Sequence, residues 1–130
     1  MAAPVFSIAV GKVQSFIMTF ASLTAADANI GRFRLPQKAR VIRIGATARA
    51  KSAGLLAFTL MVEGGGTNLL TGAMDLAAVA AGAFVEGTLT DSAGVALAKE
   101  TEITIDVDAH TGGGETASDV TVQVDYLPED

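Results

Sequence analysis

The last third of the chain alternates apolar and polar side chains with a period of two. Ile103, Ile105, Val107 and Ala109 alternate with Glu102, Thr104, Asp106 and Asp108. Val120, Val122, Val124 and Tyr126 alternate with Asp119, Thr121, Gln123 and Asp125. Successive side chains of a strand point to opposite faces, so each segment predicts a strand with one buried face and one wet, acidic face. A glycine-rich loop joins them, and two strands so connected are expected to form a final hairpin.

The same reading extends upstream. In residues 12–20, Lys12, Gln14, Phe16, Met18 and Phe20 share one face, and Val13, Ser15, Ile17 and Thr19 the other. Both faces are partly apolar, which suits an inner strand or one covered by a second copy. Residues 1–12 read as an arm or edge strand, and residues 23–30 as loop. Residues 31–36 read as a short strand ended by Pro36, with Leu35 held extended by the proline that follows it. Residues 39–50 predict a long strand with Ile42, Ile44, Ala46 and Ala48 inward and Arg43, Gly45, Thr47 and Arg49 on a basic outer face. In residues 55–63, Leu56, Phe58, Leu60 and Val62 form the expected core face. Leu55, Ala57, Thr59 and Met61 form a second, nearly as apolar face, packed on another copy or covered by loops. The glycine triplet at residues 64–66 reads as a turn, because it lacks the Lys-Ser/Thr ending of a phosphate loop. Residues 72–82 read either as helical turns or as a strand followed by a turn. Residues 84–90 return to strand character, residues 95–100 read as a single helical turn, and residues 128–130 as an acidic tail.

Turn signals recur about every ten residues and no helix is sustained, so the pattern predicts an all-β antiparallel sandwich, a single domain over residues 13–127. An eight-stranded jelly roll is the first expectation and an immunoglobulin-like sandwich the alternative.

Composition sharpens this. Half of the 130 residues are apolar, enough for one core, yet the apolar set is rich in Ala and holds no Trp. That argues for thin layers. No cysteine is present, which removes disulfides and thiolate chemistry. The first basic residue is Lys12, and Gln14, Ser15, Thr19 and Ser22 interrupt the early apolar run, so the start does not fit a signal-peptide template. The longest uncharged run is well short of the ~20 residues of a membrane helix, and a soluble protein without membrane contact is expected. The net charge of −5 is unevenly spread. Lys12, Arg32, Arg34, Lys38, Arg40, Arg43, Arg49 and Lys51 precede residue 52 with only Asp27 to oppose them; thirteen acids and Lys99 follow. Such a split suits either ordinary solvated sheet faces or the meeting of basic and acidic parts of separate copies.

Candidate chemistry is sparse. His110 is the single histidine, so a transition-metal site or a serine triad lacks its partners, and neither an enzyme nor a cofactor is expected. Asp106, Asp108, Asp119 and Asp125 are hard-oxygen donors of the kind Ca²⁺ takes, and a hairpin would bring several to one face. A strand face spaces them too widely for a full shell, so a solvated acidic face is expected and no metal. The arginine ladder lacks interleaved aromatics to stack bases, which argues against nucleic acid.

The order of several features resembles small virion proteins of tailed bacteriophages. These are Phe33-Arg34-Leu35-Pro36, then the strand from Ala39 through Ala48, then Glu63-Gly64-Gly65-Gly66-Thr67-Asn68-Leu69-Leu70. They continue with Ala98-Lys99-Glu100-Thr101-Glu102-Ile103 and the terminal run from Asp119 to Asp125. The chain is similar to jelly-roll capsid decoration (cement) proteins, and also to jelly-roll modules of phage tails. The resemblance implies a protein made in the host cytoplasm and placed on the virion capsid surface, a homotrimer at three-fold positions on the major capsid protein. It brings no catalytic residues. On this reading the two-sided apolar strands supply Phe16, Met18, Leu55 and Met61, and the basic face Arg43 and Arg49, as oligomer or capsid contacts. The alternative function is a tail or adhesion-type module that recognises a host-surface carbohydrate; the lack of an aromatic platform counts against it.

Overall fold

The computed structural model describes residues 12–111 and 114–129. Ten strands and no helix are found among them. They are β1 (Gln14–Leu23), β2 (Asp27–Arg34), β3 (Ala39–Lys51), β4 (Phe58–Gly64) and β5 (Thr67–Asn68), followed by β6 (Met74–Asp75), β7 (Phe84–Glu86), β8 (Val95–Leu97), β9 (Glu102–His110) and β10 (Ala117–Pro128). One sheet runs β1-β10-β3-β7, with β8 also on β3; the other runs β2-β9-β4-β5, with β6 also on β4. Every pairing is antiparallel.

The pairing is nested. β1 lies against β10, β2 against β9, β3 against β7 and β8, and β4 against β5 and β6. The first four strands alternate between the sheets, and so do β9 and β10. This is a long hairpin rolled up on itself, the wrapping of a jelly roll; an immunoglobulin-like sandwich instead joins several pairs of successive strands as hairpins within one sheet. Its innermost turn is tight: Gly64 faces Thr67, so only Gly65 and Gly66 intervene, both at positive φ (61° and 83°). A two-residue turn needs that backbone to match the strand twist, and glycine takes it without a Cβ penalty.

The core lies between the two inner faces. Ala39, Val41, Ile44, Ala46 and Ala48 of β3 and Val120, Val122 and Val124 of β10 meet Phe58, Leu60 and Val62 of β4 and Ile103, Ile105 and Val107 of β9. Three of the inward residues of β3 are alanines, Ala39, Ala46 and Ala48. At the open side, Phe16 of β1 stacks on Phe33 of β2, centroids 3.4 Å apart and planes at 12°. Gly31 leaves room there: a Cβ on it would stand 2.4 Å from the Met18 sulfur and 2.8 Å from the Phe20 ring.

Several expectations are corrected. The last two strands form as expected but not as a hairpin, because β9 and β10 belong to opposite sheets. Ile42, expected in the core, is 36% exposed. Asp125 faces Arg43 while Tyr126 faces Val41, so Ile42 is an extra residue, a bulge that reverses the parity of β3. Leu56 is 82% exposed because β4 starts only at Phe58. Thr111 Oγ1 accepts hydrogen bonds from the Leu56 and Ala57 amides (2.8 and 2.7 Å), and this holds the preceding segment off the strand path. Of the supposed loop at residues 23–30 only residues 24–26 are loop; Leu23 ends β1 and residues 27–30 belong to β2, whose ladder is irregular between Asp27 and Gly31, with Asn29 at φ 55°. Residues 95–100 form no helical turn; Val95, Ala96 and Leu97 pair with Val41, Arg40 and Ala39. Of the two readings for residues 72–82, strand then turn is the one found: Asp75 Oδ1 accepts from the amides of Ala77 (3.0 Å) and Ala78 (3.3 Å). Pro128 ends β10 and Glu129 bonds Arg40 at 3.2 Å, so residues 128 and 129 are no free tail. The arm expected over residues 1–12 lies, apart from Lys12, outside the described residues.

Candidate interaction surfaces

The sandwich leaves two broad outer faces, and their rows follow from the register. On the β1-β10-β3-β7 sheet one row is Ser15–Asp125–Arg43, the next Ile17–Gln123–Gly45–Glu86, the next Thr19–Thr121–Thr47–Phe84. Ile17 (58% exposed) and Phe84 (45%) stand on this face. The Phe84 ring lies over Gly45, where a Cβ would fall 1.9 Å from its Cζ. Arg43 sits 5.0 Å from the centroid of that ring and donates from Nε to Glu86 at 3.1 Å. The glycine thus lets an aromatic ring lie flat on the sheet, and the guanidinium takes the ring and a carboxylate together. Asp125 is nearly buried; it accepts from Ser15 Oγ (2.7 Å) and Gln123 Nε2 (2.9 Å), so its charge is held by hydrogen bonds and not by an arginine.

Next to these rows is a shallow depression of about 480 Å³ lined by Thr19, Thr47, Arg49, Gly82, Asp119 and Thr121. Thr19 and Thr121 share a hydrogen bond of 3.3 Å across its floor, while the buried Thr47 hydroxyl has no partner. Gly82, at the end of the segment after β6, is the one lining residue from outside β1, β3 and β10, and that segment is held to β3. Lys51 Nζ donates to the carbonyls of Leu76 (2.7 Å), Ala77 (3.3 Å) and Val79, and the Gly82 amide donates to Ala48 O at 2.8 Å.

The outer face of the other sheet carries Arg32 and Arg34 beside Glu102, at 3.9 and 3.6 Å. It also carries Glu63 and Asp106. The hydrogen bond with Asp106, burial and the Asp106 charge raise the Glu63 pKa above its ordinary value, with Thr104 pulling the other way. Asp106 in turn accepts from the Asn29 amide at 2.6 Å.

The residues singled out from sequence are thereby placed. Arg43 and Arg49 stand exposed on one outer face. Leu55 (5% exposed) and Met61 (8%) belong to the core of their own chain, as do the half-buried Phe16 and Met18 at its margin. The four aspartates are divided between sheets: Asp106 and Asp108 on β9, Asp119 and Asp125 on β10. Among the described residues no group of three or more acidic, histidine or cysteine side chains is placed to hold a metal ion. His110 meets the Phe58 ring edge-on at 5.8 Å, and its Nε2 lies 3.2 Å from Leu23 O, so it ties the end of β9 to the end of β1. Sequence reasoning missed the platform of Gly45, Phe84 and Glu86 around Arg43. Its one sequence signal is a glycine inside an otherwise strand-forming run.

No family model matches the chain, and no curated protein matches it in sequence. Among solved structures it is similar to a chain of the cyanophage Pam1 capsid asymmetric unit, with a TM-score of 0.53 and 17% identity over 92% of this chain and 86% of that one. At that identity the likeness is one of fold, and it extends over nearly the whole of both chains.

Proposed function

We propose that this chain is a structural protein of a phage virion. It binds the outside of the capsid and stabilises the shell as an oligomer, without catalysis. The observation that carries the reading is the near end-to-end likeness of fold to a chain of a phage capsid. The surface chemistry agrees with it: broad sheet faces, with apolar side chains such as Ile17 and Phe84 left exposed beside arginines. On the shell the reading takes the form of a decoration protein, three copies meeting at a three-fold position above the major capsid protein. Arg43 and Arg49 are the exposed members of the expected contact set, and Phe16, Met18, Leu55 and Met61 hold the fold that presents them.

The test is to add the purified protein to capsids that lack it, then read occupancy in particle images and the temperature at which the shells rupture. Saturable binding that raises the rupture temperature is the expected result. Removal of residues 1–10 is expected to lower occupancy with the thermal unfolding of the free protein unchanged. Absence of binding to expanded capsids refutes the reading.

A further inference from the structure

Three irregularities that the fold does not account for meet at one place, the hollow lined by Thr19, Thr47, Arg49, Gly82, Asp119 and Thr121. The first is the Thr47 hydroxyl, whose oxygen is buried without a partner. Buried polar atoms are ordinarily hydrogen-bonded, so this one calls for a partner from outside the chain.

The second is a pair of charges that do not meet. Ser118 faces Ala50 and Val120 faces Ala48, which sets Asp119 opposite Arg49 across the β10–β3 ladder. Opposite charges so placed attract. Yet both side chains are exposed, and neither forms an ion pair or hydrogen bond among the described residues. The third is the backbone of Asp119, at φ 49° inside a strand. Ser118 and Val120 pair with both β1 and β3, while Asp119 is passed over in each ladder. A left-handed conformation is costly for a residue with a Cβ, and such strain gathers at binding sites.

We infer that this hollow is a binding site for a neutral saccharide. The lining selects that class. Arg49 donates and Asp119 accepts, so the charges balance and favour neither an anion nor a cation. Thr19, Thr47 and Thr121 each add a hydroxyl that donates and accepts. A ring of vicinal hydroxyls matches this set: one oxygen accepts from Arg49, its neighbour donates to Asp119, and a third meets the Thr47 hydroxyl. An apolar ligand leaves all of these unmatched. The volume of about 480 Å³ is within the ~300–1,000 Å³ usual for small-molecule sites. Phe84 is the cross-strand neighbour of Thr47, but its ring lies over Gly45, so no aromatic face lines the hollow. Recognition therefore rests on hydrogen bonds, and affinity for a single sugar is in the millimolar range. The inference stands apart from the capsid reading: Arg43, beyond the Phe84 ring, is left for the shell.

The test is a titration of the isotope-labelled full chain, followed by amide shifts in NMR spectra. The probes are glucose, galactose, mannose and N-acetylglucosamine, with inorganic phosphate and glycine as charged controls. Saturable shifts centred on Thr19, Thr47, Arg49, Asp119 and Thr121 are expected with at least one sugar and with neither control. Asp119→Gly removes the carboxylate and relieves the positive φ. It is expected to abolish the saturable shifts, with an unfolding temperature at or above that of wild type. Thr47→Val is expected to weaken binding by about tenfold, near what one hydrogen bond contributes, with the fold intact. No response of these amides to any of the four sugars overturns the inference, as does binding of phosphate or glycine in their place. Saturation that survives both substitutions also overturns it, by placing the sugar elsewhere. None of these results decides capsid binding, which is read on particles.

Discussion

Lys51 ties the segment after β6 to the end of β3, and the cost of losing it follows from its contacts. Its ammonium donates to three carbonyls, those of Leu76, Ala77 and Val79, and so uses all three of its protons on one segment. Lys51→Met keeps most of the stem and removes the donors. A hydrogen bond to a charged group contributes about 1.5–3 kcal/mol when buried. Lys51 is only half-buried, so water replaces part of the loss and about 2–3 kcal/mol is expected for the three together. With an unfolding entropy of about 2.1 cal/mol/K per residue, a chain of this length is expected to lose roughly 7–11 °C in Tm. The local effect is larger than the global one. The Gly82 amide still bonds Ala48 O, so residues 76–81 open as a unit hinged at Gly82. Hydrogen exchange by mass spectrometry is expected to show faster exchange over that segment and unchanged rates in β3 and β10. A Tm within about 1 °C of wild type, with the segment's exchange unaltered, refutes the claim that the ammonium holds these carbonyls.

Thr47→Val and Thr59→Val each remove a buried hydroxyl that has no partner, and each is expected to leave stability unchanged or raise it by up to about 1 kcal/mol in denaturant unfolding. Phe58 is fully buried at the head of β4, so Phe58→Ala is expected to cost about 3–5 kcal/mol, read as a fall in the urea midpoint. Glu63 is a carboxyl whose pKa is raised in the native state, so near and above its ordinary value the folded chain binds more protons than the unfolded one. Its contribution therefore declines as pH rises through that window. Glu63→Gln is expected to be more stable than wild type at neutral pH and equal to it in acid, and a difference independent of pH refutes the pairing with Asp106.

The strands with clean alternation were legible: β9 and β10 show their buried and wet faces directly in the sequence. The bulge at Ile42 was not, because one extra residue reverses the parity of β3 without altering local composition. Nor was the partition of β9 and β10 between sheets, since a short loop joins a hairpin and a sheet-to-sheet crossing equally well. Residues 95–100 hold helix-forming Ala, Leu, Lys and Glu, yet pairing with β3 outweighs that weak preference. At the candidate surface, Arg43 and Arg49 read correctly as exposed bases. The partners of Arg43 lie some forty residues away in sequence and are brought in by the β3–β7 ladder, which alternation alone does not reveal. Two apolar faces on one strand left either a second copy or the chain's own loops to cover Leu55 and Met61, and both side chains are buried within their own chain.

The nested wrapping also sets the order in which the chain becomes safe during synthesis. Among the described strands β1 leaves the ribosome before the others and its partner β10 after them, with Gln14 waiting for Tyr126. At about 5–20 residues per second, the uncharged strand spends roughly 5–20 s with both of its edges open. Neighbouring ribosomes on one message would hold such strands close together while they wait. The rate of translation, or a chaperone that shields the emerging strand, therefore bears on the yield of native protein more than the final stability of the sandwich does.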